Sequence, residues 1–299
     1  MGLRDTIPAL APAARVRIIL LGLAWYELLT IFVILAAEGL LFAGYNALSV
    51  SVQALNVVAV AVIVVALHGE RVQLVEALAL ISVFGVVSFF FGHVSIIFSI
   101  ATVLVMCLPL VLVIPTLPLY LWAAFYGVMF IPIAAIVARR KLSRHDLGLT
   151  RAPRLTYLIP FGTLVGVGIG LVEYAILGNN PLIQNASALE LIGLSIVMIF
   201  FVALVEELLF RVLLQPQLIN RSGAVAGILI TSVIFGAVHA GYANVNELLF
   251  TTGAGIVFGV AFYKTKNLPF VVTMHAVGDI LLFGVLPYLA LPFLALARH

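Results

Sequence analysis

Apolar residues run through this chain in long stretches separated by short polar punctuation, without the regular alternation of a half-buried strand. A helix needs about 20 such residues to cross the hydrocarbon core of a bilayer. Taken in order, the stretches predict helices at about 17–42, 50–67, 72–91, 95–114 and 117–138, then 155–177, 187–219, 223–243, 247–263 and 268–286. Strands of a membrane barrel would alternate apolar and polar positions, so the continuous runs exclude that architecture. The expected fold is all-α, a polytopic transmembrane bundle of about eight to ten membrane helices. Pro115 and Pro118 divide one hydrophobic stretch and predict a tight hairpin, and Pro132 predicts a kink.

The clearest polar break is residues 139–154, with Arg139, Arg140, Lys141, Arg144, Arg151 and Arg154 against a single acid, Asp146. By the positive-inside rule this loop is cytoplasmic. Arg221, Lys264 and Lys266 fall on the same side after the helices at 187–219 and 247–263. Arg4, Arg15 and Arg17 put the N-terminus there too, yet five full crossings before the loop would put the loop outside; one early segment is then re-entrant or miscounted. The chain divides into N-terminal membrane helices (1–138) with no assigned function, the basic loop (139–154) and a second membrane core (155–299).

Composition agrees: 64% of the 299 residues are hydrophobic and 9% charged, against about 25% charged in an ordinary soluble domain. The net charge of +3 is read as topology and lipid contact, not as nucleic-acid binding. Cys107 is the sole cysteine, which excludes an intrachain disulfide and a cysteine-based zinc site. No short apolar segment with a cleavage site opens the chain, so no removed signal peptide is expected. The start, Met1-Gly2-Leu3-Arg4-Asp5-Thr6, formally fits the myristoylation pattern, and Asn185-Ala186-Ser187 is a sequon; nothing else supports either modification. The expected localisation is a multi-pass integral membrane protein, in the inner membrane if the source is bacterial.

Charge inside apolar sequence is costly and is seldom present without a partner or a function. The sequence Val205-Glu206-Glu207-Leu208-Leu209-Phe210-Arg211 places three formal charges in one such run. Glu207 and Arg211 are four apart and can pair on one helix face; Glu206 lies about 100° around the axis, where Arg211 does not readily neutralise it. Two further polar sets lie deep in apolar sequence, Phe235 with His239 and His275 with Asp279, each pair again four apart. Glu, two His and Asp on three apolar helices can bind a metal or activate a water.

In order, Glu206-Glu207-xxx-Arg211, Phe235-xxx-His239 and His275-xxx-Asp279 resemble the three motifs of the CPBP family, the CAAX proteases and bacteriocin-processing enzymes, which include type II prenyl-protein endopeptidases. The resemblance covers about 155–286 and marks 155–299 as the catalytic core. It implies a membrane-embedded endopeptidase with Glu206 as general base. His239 then holds the same water or ligates a metal, and His275 and Asp279 stabilise an oxyanion or complete a metal shell. The family's last position is Asn or Asp, and Asp279 weakens a simple amide-donor role. Phe235 is expected to pack beside the imidazole. Glu207 and Arg211 are expected to support the site from behind, Arg211 as a candidate contact for a substrate carboxylate. Glu206, His239, His275 and Asp279 are also the candidate zinc ligands; a glutamate-activated water without metal is preferred over zinc. The implied partners are a peptide or protein substrate, prenylated or membrane-bound, and the lipid bilayer. The alternatives are a proton- or ion-coupled transporter, since such groups also build proton relays, and a non-cleaving scaffold.

The remaining polar residues carry less. Glu27, Glu38, Glu76 and Glu173 are expected at an interface or in a local hydrogen bond; His68, His93 and His145 are expected to be solvated. Glu190 and Glu247 open helices and complement their N-terminal dipoles. Gly162, Gly166 and Gly170, like Gly255 and Gly259, form small-residue stripes for close helix packing, with no catalytic role expected.

Overall fold

The structure, a computed structural model, describes residues 22–66, 72–87, 117–149, 155–178 and 180–289. The predicted helix at 95–114, Cys107, His68, His93, Pro115 and the basic residues Arg4, Arg15, Arg17, Arg151 and Arg154 lie outside them. Within them are α1 (Trp25–Phe42), α2 (Asn46–Ala66), α3 (Val72–Val87), α4 (Leu117–Arg139), α5 (Leu155–Leu177), α6 (Ala188–Ser222), α7 (Ala224–Ala237), α8 (Val245–Thr265) and α9 (Leu268–Ile280). No strand occurs among the described residues, and eight helices are long and apolar enough to cross a membrane, α3 being the short one. The protein is an all-α, multi-pass integral membrane protein.

The predicted spans mostly hold, and their ends follow capping chemistry. The Asn244 side chain accepts from the backbone N–H of Asn246 at 2.9 Å to start α8, and Asn267 accepts from Phe270 at 2.8 Å to start α9. The predicted helix at 223–243 stops earlier, at Ala237, and a 3-10 turn, Ala240–Tyr242, follows. Helix α4 runs on through Pro132.

One end of the bundle collects the basic residues. Glu76, at the start of α3, pairs with Arg139 and Arg140 at the end of α4, the latter at 2.8 Å. Glu27, in the first turn of α1, meets Arg221 at the end of α6 at 3.4 Å. The Leu268 N–H, opening α9, donates to Gly148 O in the basic loop at 2.9 Å. That loop is itself braced by Asp146, which accepts from the Ser143 hydroxyl and backbone N–H; these bonds hold its carboxyl below the usual range. The start of α1, the start of α3, the end of α4 and the basic loop therefore lie at one end of the bundle. The fifth crossing expected before the loop, at 95–114, lies outside the described residues.

Core helices are set by small residues. A Cβ added at Gly166 would stand 2.5 Å from Met274 O, and one at Gly170 would stand 2.7 Å from Gly278 O. The absence of side chains at these two positions lets α5 lie directly against α9. Helix α9 is the most buried of the eight spans, and it carries His275 and Asp279. In the N-terminal half, Gln53 donates to Glu38 and Asn56 to Ser82, both at 2.8 Å, tying α2 to α1 and α3.

Candidate active site

The middle of α6 is not a regular α-helix. Wider π-helical turns, Met198–Ala203 and Leu208–Leu214, flank a short α segment, Leu204–Glu207. Such turns recur at functional sites because they re-aim side chains within a helix. We find no local feature of the sequence that announces them. They bracket the glutamate pair in the buried part of the bundle, where Glu206 is 4% exposed and Glu207 and Arg211 are fully buried.

Glu207 pairs with Arg211 as its spacing predicts, with Arg211 Nε 3.1 Å from Glu207 Oε2. Its other oxygen, Oε1, lies 2.9 Å from His275 Nδ1. The guanidinium is boxed by aromatic rings, its carbon 4.4 Å from the Phe235 centroid, 5.4 Å from Phe258 and 5.8 Å from Phe210. It also donates to Gly255 O at 3.4 Å. One turn further, Gln215 donates to Gly259 O at 3.0 Å. The enclosure leaves Arg211 fully buried, and the Gly255/Gly259 stripe, packed closely as expected, also supplies carbonyl acceptors.

Glu206 makes no ion pair with Arg211 among the described residues. Its Oε1 accepts a hydrogen bond from the Tyr126 hydroxyl at 2.6 Å. Among the described residues its Oε2 has no hydrogen-bond partner, and it lies 3.8 Å from His275 Nε2. Asp279 Oδ2, likewise without a hydrogen-bond partner, lies 3.6 Å from the same nitrogen. His275 is thus held from behind through Nδ1, which must carry the proton because a carboxylate only accepts. It presents Nε2 to two carboxylates. Phe258 stacks on its ring, 5.3 Å between centroids and 19° between planes.

His239 ends the α7 region beside this cluster, partly exposed, with Nδ1 2.9 Å from Phe235 O. A carbonyl only accepts, so Nδ1 bears the proton and Nε2 keeps its lone pair. Phe235 packs against the His239 ring at 5.1 Å as expected, and also against His275 at 5.9 Å. Tyr242 stacks on the outer side of His239 at 6.4 Å.

Sequence reasoning missed Tyr126 and Gln215. Nothing at helical spacing marks them, because their partners lie 80 and 44 residues away. It also placed Glu247 only at a helix start. Glu247 does sit in the first turn of α8, but its carboxylate is fully buried and neither oxygen has a donor. Its neighbour is another carboxyl, Glu173 of α5. His145 is exposed, as expected.

Whether these groups suit a metal is a question of arrangement. Glu, His and Asp are all acceptable zinc donors. As placed, however, Nδ1 of both histidines and one oxygen of Glu206 are already committed. Among the described residues no three His, Cys, Asp or Glu side chains are disposed around one metal position. The four candidates cluster, but they do not form a metal cage.

Residues 188–281 match the family model described as type II CAAX prenyl endopeptidase Rce1-like, in keeping with the CPBP resemblance. The match takes in Glu206, Glu207, Arg211, Phe235, His239, His275 and Asp279, and ends at the first residue of the π-helical continuation of α9, Leu281–Val285. No curated protein and no solved structure matches the chain.

Proposed function

We propose, taking the Rce1-like type II CAAX prenyl endopeptidase segment at 188–281 as premise, that this membrane protein is an endopeptidase that hydrolyses peptide bonds with a water activated by Glu206. The observation that carries the proposal is the asymmetric environment of that carboxylate. One oxygen is held by Tyr126, and the other has no donor and faces His275 and Asp279.

In this mechanism Glu206 Oε2 takes a proton from water, and the hydroxide oxygen attacks the scissile carbonyl carbon. The His239 lone pair at Nε2 accepts a hydrogen bond from the O–H that the hydroxide keeps and so fixes the direction of attack. Negative charge gathers on the former carbonyl oxygen, which His275, protonated on both ring nitrogens among the surrounding carboxylates, stabilises through Nε2–H. Its imidazole is held by Glu207 behind and Asp279 beside it. A donor aimed in advance at developing charge in a dry site is commonly the largest catalytic contribution. As the carbon–nitrogen bond breaks, the proton on Glu206 passes to the leaving nitrogen, which restores the carboxylate and releases amine and acid. Arg211 has no contact with substrate; it neutralises Glu207, so that Glu207 can hold His275.

Purified protein in lipid vesicles, given a farnesylated CAAX peptide and the same peptide without the lipid, tests the proposal. Wild type should cleave at least one, and Glu206→Gln should lose at least the 10²–10⁴-fold that a general base typically contributes. Cleavage of both peptides would remove prenylation from the substrate definition. Undiminished cleavage by Glu206→Gln would sink the mechanism.

A further inference from the structure

Tyr126 lies outside the family match, on α4 in the half of the chain to which the sequence assigns no function. It is nonetheless the one described side chain that donates a hydrogen bond to Glu206. At 2.6 Å the contact has the length of a charge-assisted O–H to carboxylate bond. The phenol is buried, and its place is set by aromatic neighbours. The Phe125 centroid lies 4.6 Å from its ring, Phe84 of α3 5.7 Å and Trp122 6.2 Å, while Trp122 in turn packs on Phe283 beyond α9 at 5.5 Å. Packing of α4 against Met198–Ala203 and Leu204–Glu207 brings that hydroxyl to the glutamate.

A carboxylate in isolation has two equivalent oxygens and turns freely about its last bond. Here the bond from Tyr126 distinguishes them: Oε1 is occupied, and Oε2 is turned toward His275 Nε2 at 3.8 Å. The other polar groups facing Glu206 are His275 and Asp279 from α9 and His239 and Tyr242 from the turn after α7, with Glu207 and Arg211 on its own helix. Among these, His275 and Asp279 are on the Oε2 side, and Arg211 is committed to Glu207 and Gly255.

We propose that Tyr126 is a positioning residue for the peptidase reaction: it selects Oε2 of Glu206 as the proton-accepting oxygen and fixes its direction, so the catalytic unit extends across both halves of the chain. The proposal rests on the peptidase reading of the site. It also gives the N-terminal helices a chemical task, delivering one donor to the base.

Tyr126→Phe keeps the ring and its packing and removes only the donor. Loss of that donor frees the Glu206 carboxylate to turn about its last bond, so water activation should suffer while substrate binding does not. At neutral pH kcat should fall about ten- to a hundredfold with KM little changed. A merely structural tyrosine would lower melting temperature and activity together, without a selective fall in kcat per folded molecule. A kcat for Tyr126→Phe equal to wild type overturns the proposal, as does an activity loss that follows melting temperature alone. Glu206→Gln run alongside separates the two failures: if it still cleaves, the peptidase reading falls; if it is dead while Tyr126→Phe matches wild type, only the role of Tyr126 falls. The infrared difference spectrum between wild type and Tyr126→Phe needs no turnover and should contain a displaced carboxylate stretch; its absence also refutes the bond.

Discussion

Replacing Glu207 by Gln removes one charge from a fully buried pair and leaves Arg211 as a cation without its anion. Both side chains are 0% exposed, and breaking such a pair by removing one partner costs roughly 3–5 kcal/mol. Two features pull the expected value toward the lower end. The guanidinium keeps its three aromatic faces, the nearest at 4.4 Å, and a desolvated cation–π contact holds about 2 kcal/mol. The Gln carbonyl can also still accept from His275 Nδ1. That bond then loses its charge assistance, which roughly halves its strength, about 1 kcal/mol. A loss of about 3–4 kcal/mol in all is expected, measured by reversible unfolding in detergent, with reduced cleavage per folded molecule because His275 is held less firmly. Glu206→Gln should differ, with near-native stability and abolished turnover, because the amide oxygen keeps the Tyr126 bond and no buried arginine is stranded. The double variant Glu207→Leu/Arg211→Met should recover stability without activity, since an apolar pair of similar volume commonly matches a buried ion pair. Native stability and native turnover in Glu207→Gln would refute the reasoning, and a dead but fully stable Glu207→Gln would exchange the roles of the two glutamates.

Three further outcomes are expected. Gly166→Leu should push α9 from α5, because its Cβ would stand 2.5 Å from Met274 O, and should lower both melting temperature and activity by overpacking worth about 1–3 kcal/mol; Gly168→Leu, with nothing within 4 Å, should be silent. A cysteine placed at Arg144 in a Cys107-free background should resist an impermeant thiol reagent added outside intact cells, and efficient labelling would reverse the orientation inferred from the basic end. Cleavage should persist after dialysis against a strong chelator, with zinc content below stoichiometric by elemental analysis; activity lost there and restored specifically by zinc would show that the site does assemble around a metal.

Much of this protein follows from local pattern. Apolar runs of membrane length specify the helices, because a backbone in lipid must satisfy its polar groups within itself. Spacing of four puts Glu207 beside Arg211, Phe235 beside His239 and His275 beside Asp279, because residues i and i+4 share a helix face. These contacts lie within about one turn, and the sequence by itself determined them. What it left open depends on distance along the chain. The Tyr126 bond spans 80 residues and the Glu207–His275 bond 68, and no periodicity in a single helix encodes which neighbour it will meet. The packing of α4 and α9 on α6, and of α8 on α5 and α6, made those choices. It sealed Arg211 among three rings, turned Glu247 inward toward Glu173, and gave the Gly255 and Gly259 carbonyls partners. The charges in the apolar run announced that a site exists; only the close approach of helices distant in sequence decided which oxygen of Glu206 is held and which is left free.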